Sequence, residues 1–161
     1  MKSHVTTATI GKNKHIALVA HDGKKAELLT WVAQNREILK NHTLCGTGTT
    51  GRLVQEKTGL PVKTYKSGPL GGDLQIGTRI VDGEVNCLIF LWDPLEAQPH
   101  DPDIKALLRI ASVYDIPVAN NLATADFIIH SKFMNEEYEH QVEDYEQILK
   151  NRVEEFSSEP E

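Results

Sequence analysis

Short apolar runs separated by polar, glycine-containing loops set the rhythm of this chain. His15-Ile-Ala-Leu-Val-Ala-His21 predicts a buried strand, broken at Asp22-Gly23. Lys24 to Lys40 carries Ala26, Leu29, Val32 and Ala33 at helical spacing and stops at Asn41. A second strand is predicted at Thr43 to Gly46. The loop Thr47-Gly-Thr-Thr-Gly51 follows, then a short helix through Leu53, Val54 and Lys57 that Gly59 and Pro61 end. The third strand, Val62 to Lys66, runs into Ser67-Gly-Pro-Leu-Gly-Gly-Asp73 and a helix over Leu74 to Val81. The fourth, Asn86 to Trp92, is almost wholly apolar, as suits the centre of a parallel sheet. After the polar loop Asp93 to Asp103, Ile104, Leu107, Leu108 and Ala111 form the clearest amphipathic pattern of the chain. Pro117-Val-Ala119 reads as a fifth strand and Ala123 to Ile129 as a short helix. Val142, Tyr145, Leu149, Val153 and Phe156 mark one face of a final helix.

Strands alternating with helices in this way predict an α/β fold: a single-domain, three-layer α/β/α arrangement with a mostly parallel sheet of about five strands. No repeat or linker divides residues 1–161, so one domain is expected, with 1–13 and 157–161 as loose termini.

Composition narrows the function classes. The 161 residues carry a formal net charge of −6, which argues against a general nucleic-acid surface. The apolar run Cys87 to Trp92 is far too short to span a bilayer, and the polar segment Met1 to Lys14 lacks the apolar centre of a signal peptide. A cytoplasmic protein that engages neither membrane nor nucleic acid is expected. Cys45 and Cys87, both in apolar strands, read as buried reduced thiols rather than a disulfide or metal pair.

In an open parallel sheet, ligands bind beyond the carboxyl ends of the strands. Every unusual loop of this chain falls at such an end. Thr47-Gly48-Thr49-Thr50 offers hydroxyls and backbone N–H groups ahead of a helix, which suits phosphate oxygens, though a Thr-rich turn with a capping Thr reads equally well. It is neither a Walker loop nor Gly-x-Gly-x-x-Gly. Lys25 could add a point charge, and Ser67 and Gly68 further donors; the alternative for Lys25 is a solvated lysine. Asp73 stands where a helix cap would stand, and a cap is the simpler reading of that residue alone. His100, between Pro99 and Asp101 with Asp103 close behind, could polarise a carbonyl or relay a proton. A metal set of His100, Asp101 and Asp103 has no defined ligand spacing, and a loop histidine with Asp103 as cap is the plain alternative. His21 shares this ambiguity, and Arg152 is most simply a surface cation.

Taken together, His15-Ile-Ala-Leu-Val-Ala-His-Asp22, Thr47-Gly-Thr-Thr-Gly51, Ser67-Gly-Pro-Leu-Gly-Gly-Asp73, Trp92-Asp-Pro-Leu-Glu-Ala-Gln-Pro-His-Asp-Pro-Asp-Ile-Lys-Ala-Leu-Leu-Arg109 and Asn121-Leu-Ala-Thr-Ala-Asp-Phe127 resemble the methylglyoxal synthase family from about Lys14 to Arg152. The resemblance implies a lyase that converts dihydroxyacetone phosphate to methylglyoxal and inorganic phosphate without a metal or organic cofactor. It implies Asp73 as catalytic acid/base, and His100 at the carbonyl and hydroxyl end of the substrate. His21, Lys25, Thr47, Gly48, Thr49, Thr50, Ser67 and Gly68 match substrate and phosphate contacts; Asp22, Asp93 and Asp103 match acidic residues that shape the site. Arg152 matches an arginine tied to phosphate and to signalling between subunits of a homohexamer that phosphate inhibits cooperatively. The rival expectation is a non-catalytic, phosphate-ligand-binding regulatory module of the same fold, as in carbamoyl phosphate synthetase. A triose phosphate isomerase or a metal-dependent aldolase is a further rival.

Overall fold

The computed structural model describes residues 4–158. Strand β2 (His15–Ala20) is the middle of a five-stranded sheet of order β4-β3-β2-β5-β6, with β3 at Thr43–Gly46, β4 at Val62–Thr64, β5 at Cys87–Leu91 and β6 at Val118–Ala119. All four pairings are parallel. Successive side chains of β2 alternate between layers. Ile16, Leu18 and Ala20 enter one core with Leu28 and Trp31 of α1 (Lys25–Gln34), Val54 of α3 (Gly48–Thr58) and Ala125 and Ile129 of α6 (Leu122–Ile129). Ala17 and Val19 enter the other with Ile76 and Ile80 of α4 (Gly72–Val81) and Ile104, Leu107 and Ala111 of α5 (Asp101–Val113). Helices thus cover both faces, and β5 is buried at every position. Full burial of each such side chain contributes about 1.5–3 kcal/mol, which fixes the register of β5 against β2. No helix among the described residues is long and apolar enough to cross a membrane.

Three expectations need correcting. The Lys24 to Lys40 helix is interrupted: α1 ends at Asn35 (φ −109°, ψ 18°), and a short α2 (Arg36–Leu39) follows. Its buried face is Leu28, Trp31 and Val32, while Ala26 and Ala33 face solvent. Trp31 and Leu28 remove more apolar area from water than the alanines, so they set the rotation of the helix. The N-terminal segment is not loose throughout. Val5–Ile10 is strand β1, paired antiparallel with β7 (Tyr138–Glu143), so Val142 belongs to that ribbon and not to the last helix. The last helix, α7 (Tyr145–Ser157), starts behind Asp144, whose side chain accepts from the Gln147 N–H and caps it, and it includes Ser157. Residues 1–3 and 159–161 of the expected loose ends lie outside the described residues.

Candidate active site

Parallel strands deliver their carboxyl ends to one edge, and the loops there enclose a cavity of about 630 Å³. His21, Asp22 and Lys25 line it from the end of β2; Thr47, Thr49 and Thr50 from the start of α3; Ser67 and Gly68 from the turn after β4; Asp73 from α4; Asp93 and His100 from the segment between β5 and α5. Gly48, Asp103 and Arg152 do not line it. The Gly48 N–H donates to the Lys66 carbonyl (3.2 Å), tying the α3 entrance to the segment after β4. A Cβ at Gly48 would stand 2.9 Å from the Tyr65 carbonyl oxygen, so this close approach requires glycine. Asp103 lies half-buried in the first turn of α5 and acts on Asp73 through its charge. Arg152 is exposed on α7, its guanidinium 5.7 Å from the Phe156 ring.

Asp73 is not the cap that its sequence position suggested. Gly71, in the left-handed region at φ 97°, is the N-cap, and Asp73 lies inside the first turn of α4. Gly72 passes against the Lys66 carbonyl where no Cβ would fit, which lets the helix begin ahead of the carboxylate. Asp73 is only 1% exposed, and among the described residues neither of its oxygens has a hydrogen-bond partner. Its Oδ2 lies 3.4 Å from Nε2 of His100, itself the N-cap residue of α5. Burial raises the Asp73 pKa above the ordinary carboxylate range; His100 opposes this and Asp103 adds to it. Such a carboxylate is a stronger base than one in water.

His21 is also buried. Its Nδ1 accepts a hydrogen bond from the Asp93 main-chain N–H (3.0 Å), and its ring meets those of Phe90 and His100 edge to face, at 5.3 and 5.7 Å between centroids. Burial lowers its pKa, and the nearby His100 and Lys25 lower it further. Of the five buried side-chain polar atoms left without a partner among the described residues, four belong to this cluster: His21 Nε2, both Asp73 oxygens and His100 Nδ1. Orphaned polar atoms of this kind destabilise a fold, and here that cost is concentrated at one cavity.

The start of α3 lines the same cavity and carries features that favour an anion. The first turn of α3 presents N–H groups without intrahelical partners and the positive end of the helix dipole. Thr47, its N-cap, has an extended backbone and a hydroxyl not used for capping. Lys25 Nζ donates to the Ala20 carbonyl (2.8 Å) and to Asp22 Oδ1 (2.7 Å), which fixes the position of the ammonium. That hydrogen bond and the lysine charge hold the Asp22 carboxyl below the usual range. Glu96 and Gln98 also line the cavity, and the sequence reading gave them no role. Their place between a strand end and His100 was the available signal. Among the described residues no group of three or more His, Cys, Asp or Glu is arranged to hold a metal ion, the His100, Asp101 and Asp103 set included. Cys87 is sealed in the sheet, where burial pushes its thiol up to about 12, so it is inert at neutral pH.

Fold and site together define a three-layer α/β protein in which a buried carboxylate–imidazole pair and the start of a helix share one cavity at the carboxyl edge of the sheet. Residues 27–120 match the family model described as an MGS-like domain. The methylglyoxal synthase of Pectobacterium atrosepticum is 55% identical over 148 residues, covering 92% of this chain and 97% of that one. That of Clostridium acetobutylicum is 55% identical over 141 residues, covering 88% and 97%. The crystal structure of methylglyoxal synthase from Elizabethkingia anophelis superposes with a TM-score of 0.84 at 48% identity, over 90% of this chain and 95% of that one. The chain belongs to the methylglyoxal synthase family.

Proposed function

We propose that this chain is a carbon–oxygen lyase that converts dihydroxyacetone phosphate to methylglyoxal and inorganic phosphate. The observation that carries the reading is the buried, unpartnered Asp73 carboxylate beside His100, in the same cavity as the Thr47–Thr50 helix entrance. The substrate phosphate sits at that entrance, held by Thr47, Thr49, Thr50, Lys25, Ser67 and Gly68. Asp73 removes a proton from the carbon beside the carbonyl, and the electron pair moves onto the carbonyl oxygen to give an enediolate. The His100 imidazole hydrogen-bonds that oxygen and polarises the carbonyl end. The enediolate then expels phosphate from the adjacent carbon, and the resulting enol becomes methylglyoxal.

What separates this outcome from isomerisation of the same substrate is the orientation of the bridging C–O bond. Elimination is favoured when that bond stands out of the enediolate plane. The Thr47–Thr50 entrance and Lys25 hold the phosphate out of plane and stabilise it as it leaves. Asp22, Asp93 and Asp103 shape the field around the site. The reaction requires no cofactor from this chain's residues.

The working form is a cytoplasmic homohexamer inhibited by phosphate. Helix α7 supports the assembly: none of its residues is buried, and Leu149, Val153 and Phe156 are 48%, 57% and 64% exposed. Arg152, on the same helix and away from its own cavity, then acts on phosphate across a subunit boundary. Purified protein incubated with dihydroxyacetone phosphate and a chelator tests the central reading. Methylglyoxal and free phosphate should appear in equal amounts. Glyceraldehyde phosphate, or neither product, would overturn it.

A further inference from the structure

Two imidazoles stand in this cavity, and their surroundings treat them differently. His100 has Nε2 beside the Asp73 carboxylate and Nδ1 without a partner among the described residues, so no backbone contact fixes which nitrogen carries its proton. His21 has no such freedom. Its Nδ1 is occupied as an acceptor by the Asp93 main-chain N–H, a donor that cannot be withdrawn or reversed. A neutral imidazole with one nitrogen accepting carries its proton on the other. A doubly protonated ring would turn an N–H against the Asp93 N–H. The backbone therefore fixes His21 with its proton on Nε2, and that atom is buried at the cavity without a partner among the described residues.

We propose that His21 is locked as the neutral Nε2–H tautomer by the Asp93 main chain and serves as the fixed hydrogen-bond donor to the enediolate oxygen, leaving proton movement to Asp73 and His100. The proposal rests on the lyase reading above and divides the labour within it. In the first step a C–H bond breaks, its proton passes to the Asp73 carboxylate, and the electron pair becomes the charge on the substrate oxygen. The His21 N–H bond stays intact and supplies a dipole where that charge develops. A donor that never titrates needs no reorganisation at the moment of reaction, which is the condition for large electrostatic stabilisation. The groups that bear on His21 are Asp93, which faces it through both main chain and carboxylate, Asp22, Lys25 and His100. The Phe90 ring packs edge to face against that of His21, 5.3 Å between centroids.

The state of the ring is read directly, apart from activity. Long-range nitrogen–proton correlation spectra of protein labelled at the histidine ring nitrogens, with His21 assigned by its absence in His21→Gln, should show Nδ1 unprotonated and Nε2 protonated from pH 5.5 to 8.5. A His21 signal that titrates in this range, or a proton on Nδ1, would overturn the lock. The donor role is read by paired variants. His21→Gln places an amide N–H near the Nε2 position and should keep kcat within about tenfold, while His21→Asn reaches only the Nδ1 position and should lose about 10²–10³-fold in kcat. Equal losses in the two variants, or losses confined to KM, would overturn the donor role. A wild-type protein that makes no methylglyoxal would sink the lyase reading while leaving the tautomer measurement intact.

Discussion

The Asp73 carboxylate and the His100 imidazole meet 3.4 Å apart, Oδ2 to Nε2, with Asp73 only 1% exposed and His100 8% exposed. Among the described residues neither Asp73 oxygen has a hydrogen-bond partner. The pair is costly to the fold and useful to a base, which gives opposite predictions for stability and activity.

Asp73→Asn should cut turnover by at least about 10²-fold while leaving phosphate binding largely intact. Near-normal turnover would return Asp73 to a structural role. Stability should move the other way. Burial raises the folded-state pKa, so above the unfolded value near ~3.9 the unfolded chain gives up its proton first. Between that pH and the raised folded pKa the native state binds more protons, and stability falls as pH rises. The variant is therefore more stable than the wild type at pH 7, and the gap closes as pH approaches ~3.9. Urea midpoints at the two pH values check the sign; a variant less stable at pH 7 would contradict it.

The rate should show the same raised pKa. The wild-type kcat/KM profile loses activity as pH falls through the Asp73 pKa, above where an exposed carboxylate would place the limb. Replacing the neighbouring half-buried charge, Asp103→Asn, should move the limb towards lower pH, because Asp103 contributes to the rise. An unmoved limb in that variant would assign it to another group.

How much of this was legible beforehand differs by element. Strand β5 was readable because every residue is buried on both faces, so its apolar run has no gaps. The β1–β7 ribbon escaped because Val-Thr-Thr-Ala-Thr-Ile and Tyr-Glu-His-Gln-Val-Glu are largely exposed, and exposed strands carry little apolar alternation. The β-branched density of Val5 to Ile10 was the surviving signal. Asp73 was legible as a residue at a helix entrance. Its isolation from hydrogen-bond donors was not, since that depends on Gly71 and Gly72 starting the helix early. Lys25 and the Thr47–Thr50 entrance were legible from strand direction alone, whereas the bond from Asp93 to His21 joins residues far apart in the chain and has no local signature.

Gly68 closes over the pair. A Cβ at this position would stand 2.9 Å from His100 Nε2 and 3.3 Å from Asp73 Oδ2. Gly68→Ala should therefore lower kcat by about tenfold or more while costing only about 1–3 kcal/mol of stability, the range for overpacking a tight site. An unchanged kcat would mean that the turn gives way without disturbing the pair.

The Lys25 side chain, only 17% exposed, pairs with the fully exposed Asp22 and also anchors on the Ala20 carbonyl. Lys25→Met should raise KM for the phosphate ester by about tenfold or more, on the scale of one lost charge-assisted hydrogen bond. Inhibition by inorganic phosphate should weaken with it. A change in kcat alone would remove the lysine from ground-state phosphate binding.

Helix α7 gives the last prediction. A two-stranded ribbon and a helix of this length are each marginal in water without a packed face. Among the described residues the ties to the N-terminal segment are few, namely the Asp144 N–H to the His4 carbonyl and Asn151 with His4 Nε2. Leu149, Val153 and Phe156 repeat at helical spacing on a face that this chain does not cover. Leu149→Asp with Val153→Asp should disturb no monomer core, because neither side chain belongs to one. In sedimentation the wild type should run as a hexamer and the double variant as smaller species with the same circular dichroism over the sheet and remaining helices. Weaker phosphate inhibition should accompany dissociation, since Arg152 shares this helix. A variant that stays hexameric would place the subunit contacts elsewhere on the surface.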